Sequence, residues 1–126
     1  MKARESTMRI KRREVDEKTR KVEDLERIIR EFDIMASDLE RQIQLEEDRT
    51  GIRDCGHFSY STFAKAAAQR RDNLKTSTGG LREKLAAAVR ERDDTAEELT
   101  RAAAQSEHRD TSRQGRRRDR PGAALR

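Results

Sequence analysis

The sequence has few of the residues that fill the interior of an ordinary globular domain. Aromatic side chains make up 3% of the 126 residues, tryptophan is absent, and hydrophobic side chains of every kind amount to 32%. Such a chain cannot fill a wide, closed core. Because proline occurs once and 44% of the residues are charged, the composition instead favours long helices that bury one narrow stripe, with disorder as the alternative.

Cysteine and long apolar runs are also scarce. Cys55 is the only cysteine, so no disulfide can form within the chain, and the cytosol is the expected compartment. The longest apolar run covers residues 85–89, whereas a membrane-spanning helix needs about 20 such residues. The charged amino terminus has no apolar segment of the kind found in signal peptides. The sequence therefore predicts a soluble, cytoplasmic protein.

The excess positive charge is confined to the carboxyl-terminal end. The formal net charge is +5, yet residues 1–108 contain 23 basic and 23 acidic side chains. The excess comes from residues 109–126, with seven arginines against two aspartates. A neutral body of interleaved charges is more typical of the solvated faces of a coiled coil than of a phosphate-binding surface. We predict that residues 106–126 form a disordered basic tail.

Apolar residues recur every seven positions in the first part of the chain. Steps of seven from Met8 reach an apolar residue each time as far as Ile43. This heptad pattern predicts a coiled-coil helix over about residues 4–48 and argues against disorder. The row of side chains where two such helices meet is called the seam here. Its predicted members on this helix are Val15, Val22, Leu25, Ile29, Phe32, Ala36, Leu39 and Ile43.

A second helix follows a connection rich in glycine and polar residues. We predict a loop over about residues 49–59 and a helix over about residues 61–105, with Ser59 or Ser61 as the cap. The seam of this helix is predicted as Ala67, Leu74, Leu81, Leu85 and Ala88.

So short a link makes an antiparallel return the simplest solution. The predicted fold is therefore all-α, with two long helices in an antiparallel coiled-coil hairpin. Folding about Cys55 places Ala36 near Leu74, so the most apolar stretches of the two helices meet.

Two glycines interrupt the second helical pattern. Gly79 and Gly80 predict a break at residues 76–80, because two adjacent glycines cost a helix interior about 2 kcal/mol relative to alanine. We interpret the break as a frayed or kinked turn without a role. A hinge, or space for the Phe32 ring, is the functional alternative.

Three of the four aromatic residues gather at the predicted tip of the hairpin, namely Phe58, Tyr60 and Phe63. We interpret them as a plug that closes the seam where the helices turn. The alternative is a partner-facing tip that keeps these rings exposed.

No pattern in the sequence predicts catalysis. The glycine pair lacks the Lys-Ser or Lys-Thr that follows the glycine of a nucleotide-binding loop. Cys55 and His57 are too few to hold a metal ion, and nothing suggests a pocket in which they could act as a nucleophile and its base. We expect no metal, no cofactor and no small-molecule substrate. The chain is predicted to be a non-enzymatic protein that acts by binding.

Five segments carry a resemblance to a known family. They are residues 9–22 (Arg-Ile-Lys-Arg-Arg-Glu-Val-Asp-Glu-Lys-Thr-Arg-Lys-Val), residues 31–32 (Glu-Phe), residues 35–39 (Met-Ala-Ser-Asp-Leu), residues 46–52 (Glu-Glu-Asp-Arg-Thr-Gly-Ile) and residues 63–74 (Phe-Ala-Lys-Ala-Ala-Ala-Gln-Arg-Arg-Asp-Asn-Leu). The loop and residues 69–74 are the specific part, since heptads recur in unrelated coiled coils. Over about residues 1–105 the chain resembles alphaproteobacterial forms of the flagellar export protein FliJ.

The resemblance implies a component of the flagellar type III protein export apparatus. FliJ proteins are antiparallel two-helix coiled coils similar to the central stalk of rotary ATPases. The implied partners are the export ATPase FliI, whose ring the stalk enters, the export gate protein FlhA and export chaperones. The implied location is the cytoplasm, peripheral to the inner membrane at the flagellar base through these partners. No individual contact residue is implied.

Two other functions stay open on the sequence. A nucleic-acid-binding coiled coil would use the arginines of the basic tail to contact phosphates. A generic scaffold would instead pair its helices between chains. The first predicts salt-dependent binding that needs the tail, and the second predicts a dimer of parallel chains.

Overall fold

The computed structural model describes residues 2–118 as a hairpin of two long helices. Helix α1 is Lys2–Thr50 and helix α2 is Thr62–Arg118, and no β-strand occurs in this part of the chain. The two helices pack against each other, which confirms the predicted all-α hairpin. Helix α1 matches its predicted range to within two residues at each end.

A glycine in the left-handed conformation ends α1. Gly51 has a φ of 72°, which residues with a Cβ atom rarely adopt. Its N–H donates to the Glu47 carbonyl over 2.8 Å, so it satisfies one of the last carbonyls of the helix. The Thr50 hydroxyl also accepts from the Ile52 N–H at 3.3 Å. These two hydrogen bonds fix the conformation of the chain where α1 ends.

Polar side chains hold the loop and start α2. The Asp54 carboxylate accepts from the Gly56 N–H at 2.9 Å, which closes a tight turn. At the end of the loop the Ser61 hydroxyl accepts from the Ala64 N–H at 3.2 Å, which confirms Ser61 as the cap. The same hydroxyl donates to a Glu46 oxygen at 3.0 Å. The start of α2 is therefore tied to the end of α1.

The hairpin contains two separately packed units. The tip unit comprises residues 21–88, and the end unit comprises residues 2–20 and 89–118 of the described chain. In the tip unit the buried side chains come from both helices. They are Val22, Ile29, Ala36, Ile43, Ala64, Ala67, Thr78 and Ala88.

Ion pairs between the helices set the register of the tip unit. Arg71 pairs with Glu40, and Arg82 pairs with Asp33 at 3.3 Å. Folding about Cys55 pairs position 40 with position 70, so the observed partner is one residue away. The Arg71–Glu40 pair agrees with the predicted antiparallel register to within one helical turn, whereas the longer-range Arg82–Asp33 pair lies five residues from it.

The end unit has a core of smaller and more polar side chains. Thr95 is buried, while Val15 and Ala102 are only half-buried. Lys11 of α1 pairs with Glu98 of α2 at 2.6 Å. Folding about position 55 pairs position 11 with position 99, so the same register holds within this unit.

Helix α2 runs through the glycine pair, so the predicted break at residues 76–80 is wrong. Thr78 lies in the middle of this stretch and is only 3% exposed. Its hydroxyl donates to the Leu74 carbonyl at 2.8 Å, as it can only when the chain is helical there. Packing of this stretch against α1 outweighs the low helix propensity of two glycines.

The glycine pair does not make room for Phe32 either. A Cβ atom added at Gly79 or Gly80 would meet no atom of α1 within 4 Å. Neither glycine has a positive φ. The hairpin itself therefore gives no steric or conformational reason for glycine at these two positions.

Helix α2 also continues beyond residue 105, so the predicted disorder is wrong for residues 106–118. The apolar periodicity ends there, but the segment contains no proline to stop the helix. Arg4 and Met8 of α1 line a cleft with Ser106 and Arg109 of α2, so α1 supports this extension. The rest of the predicted tail, residues 119–126, lies outside the described residues.

Candidate partner-binding surfaces

None of the predicted seam residues is fully exposed, and they fall into two levels of burial. Val22, Ile29, Ala36, Ile43, Ala67 and Ala88 are buried. The others are half-buried, namely Val15, Leu25, Phe32, Leu39, Leu74, Leu81 and Leu85. The half-buried members keep apolar surface that another molecule can contact.

The seam also has two polar members: the heptad row that starts at Ala67 includes Thr95, whereas sequence reasoning missed Thr78. Thr78 is 3% exposed and Thr95 is 5% exposed, and each hydroxyl donates to the carbonyl four residues earlier in α2. These internal bonds let both threonines replace apolar residues in the seam. Thr78 lies one heptad before the predicted seam residue Leu85, so this spacing could have predicted its burial. Arg71 lies one heptad before Thr78.

One edge of the tip unit is ionic. Asp33 and Glu40 of α1 line it together with Arg71, Lys75 and Arg82 of α2. The hydrogen bond from Arg71 to Glu40 is the main reason that the pKa of Arg71 is raised. This row, called the ionic edge, pairs most of its charges across the two helices.

The opposite edge of the tip unit is apolar. It contains two neighbouring clefts, of about 470 Å³ and about 340 Å³. The apolar edge is defined by the hydrophobic side chains that line them, which are Ile28, Phe32, Met35, Leu39, Leu74 and Leu81. Met35 is 49% exposed although it lies beside the seam. An apolar row of this kind is the form of surface that binds another helix.

At the tip only one aromatic residue acts as a plug. Tyr60 packs against the buried cluster of Ile43, Ala64 and Ala67. Its burial, followed by the negative charge of Glu47, raises the pKa of its phenol. The plug interpretation therefore fits Tyr60.

The plug interpretation is wrong for the other two aromatic residues. Phe58 is 94% exposed and stacks on His57 with ring centroids 4.7 Å apart, and Phe63 is 57% exposed. The nearby Leu45 is 69% exposed. The tip thus presents apolar side chains to solvent, as the partner-facing alternative predicts. Cys55 is exposed in the same loop.

The end unit carries basic side chains at the start of α1 and late in α2. Arg4, Arg109 and Arg113 line one cleft of about 230 Å³. Farther along, the hydrogen bond from Lys11 lowers the pKa of Glu98, and the same bond raises the pKa of Lys11. The end unit therefore differs from the tip unit in offering positive charge rather than apolar surface.

Residues 2–118 contain neither a metal-binding cluster nor a membrane-spanning helix. Across these residues no group of three or more His, Cys, Asp or Glu side chains is placed to hold a metal ion. Within the described residues, neither helix contains an apolar stretch long enough to cross a bilayer. Comparison with protein-family models, curated proteins and solved structures gives no match.

The three surfaces differ in what they can bind. The apolar edge can bury hydrophobic side chains of another helix, and the exposed rings at the tip can insert into a pocket. The arginines of the end unit can contact anionic groups. All three are suited to macromolecular partners, because each is open on one side and extends along a helix or a loop.

Proposed function

We propose that this chain is a non-enzymatic coiled-coil component of the flagellar type III protein export apparatus. In this role it is a central stalk or escort that binds the export ATPase ring, the export gate and export chaperones. The observation that carries the proposal is the FliJ-like segment at residues 63–74, which opens the second helix of an antiparallel two-helix hairpin. A hairpin of this kind is the fold that the resemblance implies.

The distribution of charge and apolar surface supports a protein partner. Residues 1–108 are neutral overall, and the ionic edge pairs its charges within the hairpin. Exposed apolar side chains occur instead at the tip and along the apolar edge. Such patches on a charged helical protein mark sites of protein–protein contact.

The proposed action on ATP turnover is indirect. A stalk that contacts one conformation of an ATPase subunit better than another shifts the ring toward that conformation. All nucleotide chemistry then belongs to the partner. The proposed location is cytoplasmic, with association to the inner membrane at the flagellar base only through these partners.

The direct test is to mix the purified chain with the export ATPase encoded in the same genome. We expect a complex in gel filtration and a changed rate of ATP hydrolysis. The matched variants are Ile29→Asp, which puts a carboxylate at a buried seam position, and Ile34→Asp at an exposed position five residues along α1. The first should abolish binding and the second should retain it. Absence of both complex and rate change with the wild-type chain would refute the proposal.

Nucleic-acid binding is the second candidate, favoured by Arg4, Arg109 and Arg113 around one cleft. Arginine contacts to phosphates would make binding fall steeply with salt. Replacing Arg109 and Arg113 by glutamine should then weaken binding of a random-sequence duplex and lower its salt dependence. If the two substitutions leave the affinity and its salt dependence unchanged, nucleic-acid binding through this cleft is excluded.

A further inference from the structure

The apolar edge carries opposite charges on its two sides. Asp38 of α1 and Arg70 of α2 both line the larger cleft, and Asp38 also pairs with Arg41 three residues along α1. Glu31 lies one heptad before Asp38 and so on the same side of α1, and Lys84 of α2 lines the second cleft. The apolar edge therefore has an acidic rim on α1 and a basic rim on α2.

A glycine opens the apolar edge to close approach. Gly80 lines the second cleft together with Ile28 and Phe32. A Cβ atom at Gly80 would meet no atom of α1, although glycine weakens a helix relative to alanine. Because Gly80 has no side chain, the backbone or a large side chain of another helix can approach α2 closely at this point.

We propose that the apolar edge is the interface of a homodimer. In this dimer α1 of each copy lies on α2 of the other, and the two tip units form a four-helix bundle. The hydrophobic side chains of both edges, with Met35 and Leu74 at the centre, become its core. The second copy covers the half-buried surface that the hairpin leaves open.

The charges select the second copy as the occupant and set its orientation. A two-fold axis along the helices places the acidic rim of each copy against the basic rim of the other, twice over. In the other symmetric face-to-face arrangement the two-fold axis is perpendicular to the helices. This arrangement would bring Glu31 and Asp38 of one copy toward the same residues of the other, so the charges oppose it.

The inference goes beyond the proposed function and does not rest on it. A chain that never meets an export ATPase can still form this dimer. A chain that binds the ATPase can do so as a monomer. The two proposals therefore fail separately, and the experiments below contain only the full-length chain.

Sedimentation equilibrium in reducing buffer tests the dimer. We expect a concentration-dependent monomer–dimer equilibrium for the wild type. Met35→Lys should raise the dissociation constant at least about tenfold, since the change enters a symmetric interface twice. Ile34→Lys is the matched control, because Ile34 is more exposed (62% against 49%) but lines neither cleft of the apolar edge. A wild-type monomer at every concentration, or equal effects of the two changes, would overturn the inference.

A charge exchange tests the pairing of the rims. Asp38→Arg and Arg70→Asp should each weaken the dimer, and the double variant should restore it within about threefold, since each new arginine again faces an aspartate. Circular dichroism of each variant checks that the hairpin still forms. A double variant weaker than either single one would contradict the proposed pairing.

Labels on Cys55 test the orientation. This thiol is exposed and is the only one in the chain, so a fluorescent donor and acceptor can be attached without substitutions. With the two-fold axis along the helices both tips lie at the same end, and energy transfer should be strong. With the axis across the helices the tips lie roughly 40 Å or more apart. Weak transfer within a proven dimer would therefore refute the arrangement.

Discussion

Size complementarity between single residues explains the burial in the tip unit. The buried side chains of α1 are mainly branched, such as Val22, Ile29 and Ile43, whereas α2 supplies alanines such as Ala64 and Ala67. Large side chains on one helix fit over small ones on the other, which brings the backbones close together. The large buried side chains of the seam therefore come from α1.

Ile43 should be one of the most sensitive positions. It is 4% exposed within the cluster beneath Tyr60, so Ile43→Ala should lower the free energy of unfolding by about 2–3 kcal/mol. Leu45→Ala is the matched control, since Leu45 is 69% exposed and its loss should change stability by less than about 0.5 kcal/mol. Urea denaturation followed by circular dichroism measures both. Equal losses would show that the seam does not run through Ile43.

The Lys11–Glu98 pair makes part of the stability dependent on pH. The lowered pKa of Glu98 means that its contribution is present above its ordinary value of 4.5 and is lost as the pH falls. The raised pKa of Lys11 means that its contribution is present below 10.5 and is lost as the pH rises. Lys11→Gln should therefore lower Tm slightly at neutral pH, but not well below pH 4.5 or well above 10.5.

The control for this effect is Lys21→Gln, which removes an exposed lysine from the same helix. Its effect on Tm should be smaller at neutral pH. A Tm difference between Lys11→Gln and the wild type that stayed constant from acid to alkaline pH would mean that the pair contributes nothing electrostatic.

At the scale of the element, α2 depends on α1 for its order. Its inward face is built from alanines, leucines and two buried threonines, and the glycine pair lies in the middle of the helix. A helix with so small an apolar stripe is held mainly by tertiary packing and by its cap at Ser61. Continuity through Gly79 and Gly80 is the clearest sign of this dependence.

Alanine at the two glycines should therefore stabilise the hairpin. Gly79→Ala and Gly80→Ala should each raise the free energy of unfolding by about 0.5–1 kcal/mol, because both positions are helical and a Cβ atom meets no atom of α1 there. Gly51→Ala should do the opposite, since Gly51 has a φ of 72°. Thermal unfolding at low protein concentration measures all three. Destabilisation by Gly79→Ala would show that α2 is broken at this point.

The sequence was sufficient to predict the elements that follow from local pattern. The heptads from Val22 to Ile43, the loop after Thr50 and the cap at Ser61 each have a signal that is local to the chain. The continuity of α2 could not be predicted in this way, because helix propensity at Gly79 and Gly80 omits the packing of their neighbours against α1.

The heptad pattern also could not predict that the tip unit has one ionic edge and one apolar edge. Whether Glu40 meets Arg71 depends on a register that several hairpin alignments satisfy equally well. Only with the helices in place do the charges collect on one side and the apolar residues, such as Met35, on the other. Likewise, nothing in the sequence around Phe58 predicts that its ring stays outside the seam.

At the scale of the whole molecule, each of the two units of the described hairpin pairs its helices in an antiparallel register, and the two units offer different surfaces. The tip unit provides the apolar edge and the exposed Phe58, and the end unit provides the arginines around Arg109. Separate surfaces of different chemistry allow one protein to bind different partners. The proposed role in flagellar export, with its ATPase, gate and chaperone partners, is a role of that kind.

The most direct test of this role is deletion of the gene in its own host, with swimming and secretion of flagellin as the readouts. We predict that the deletion strain neither swims nor secretes flagellin. The wild-type chain and Ile34→Asp should restore both, whereas Ile29→Asp, with a carboxylate at a position that is 8% exposed, should not. A deletion strain that swims and secretes flagellin as the parent does would contradict the account.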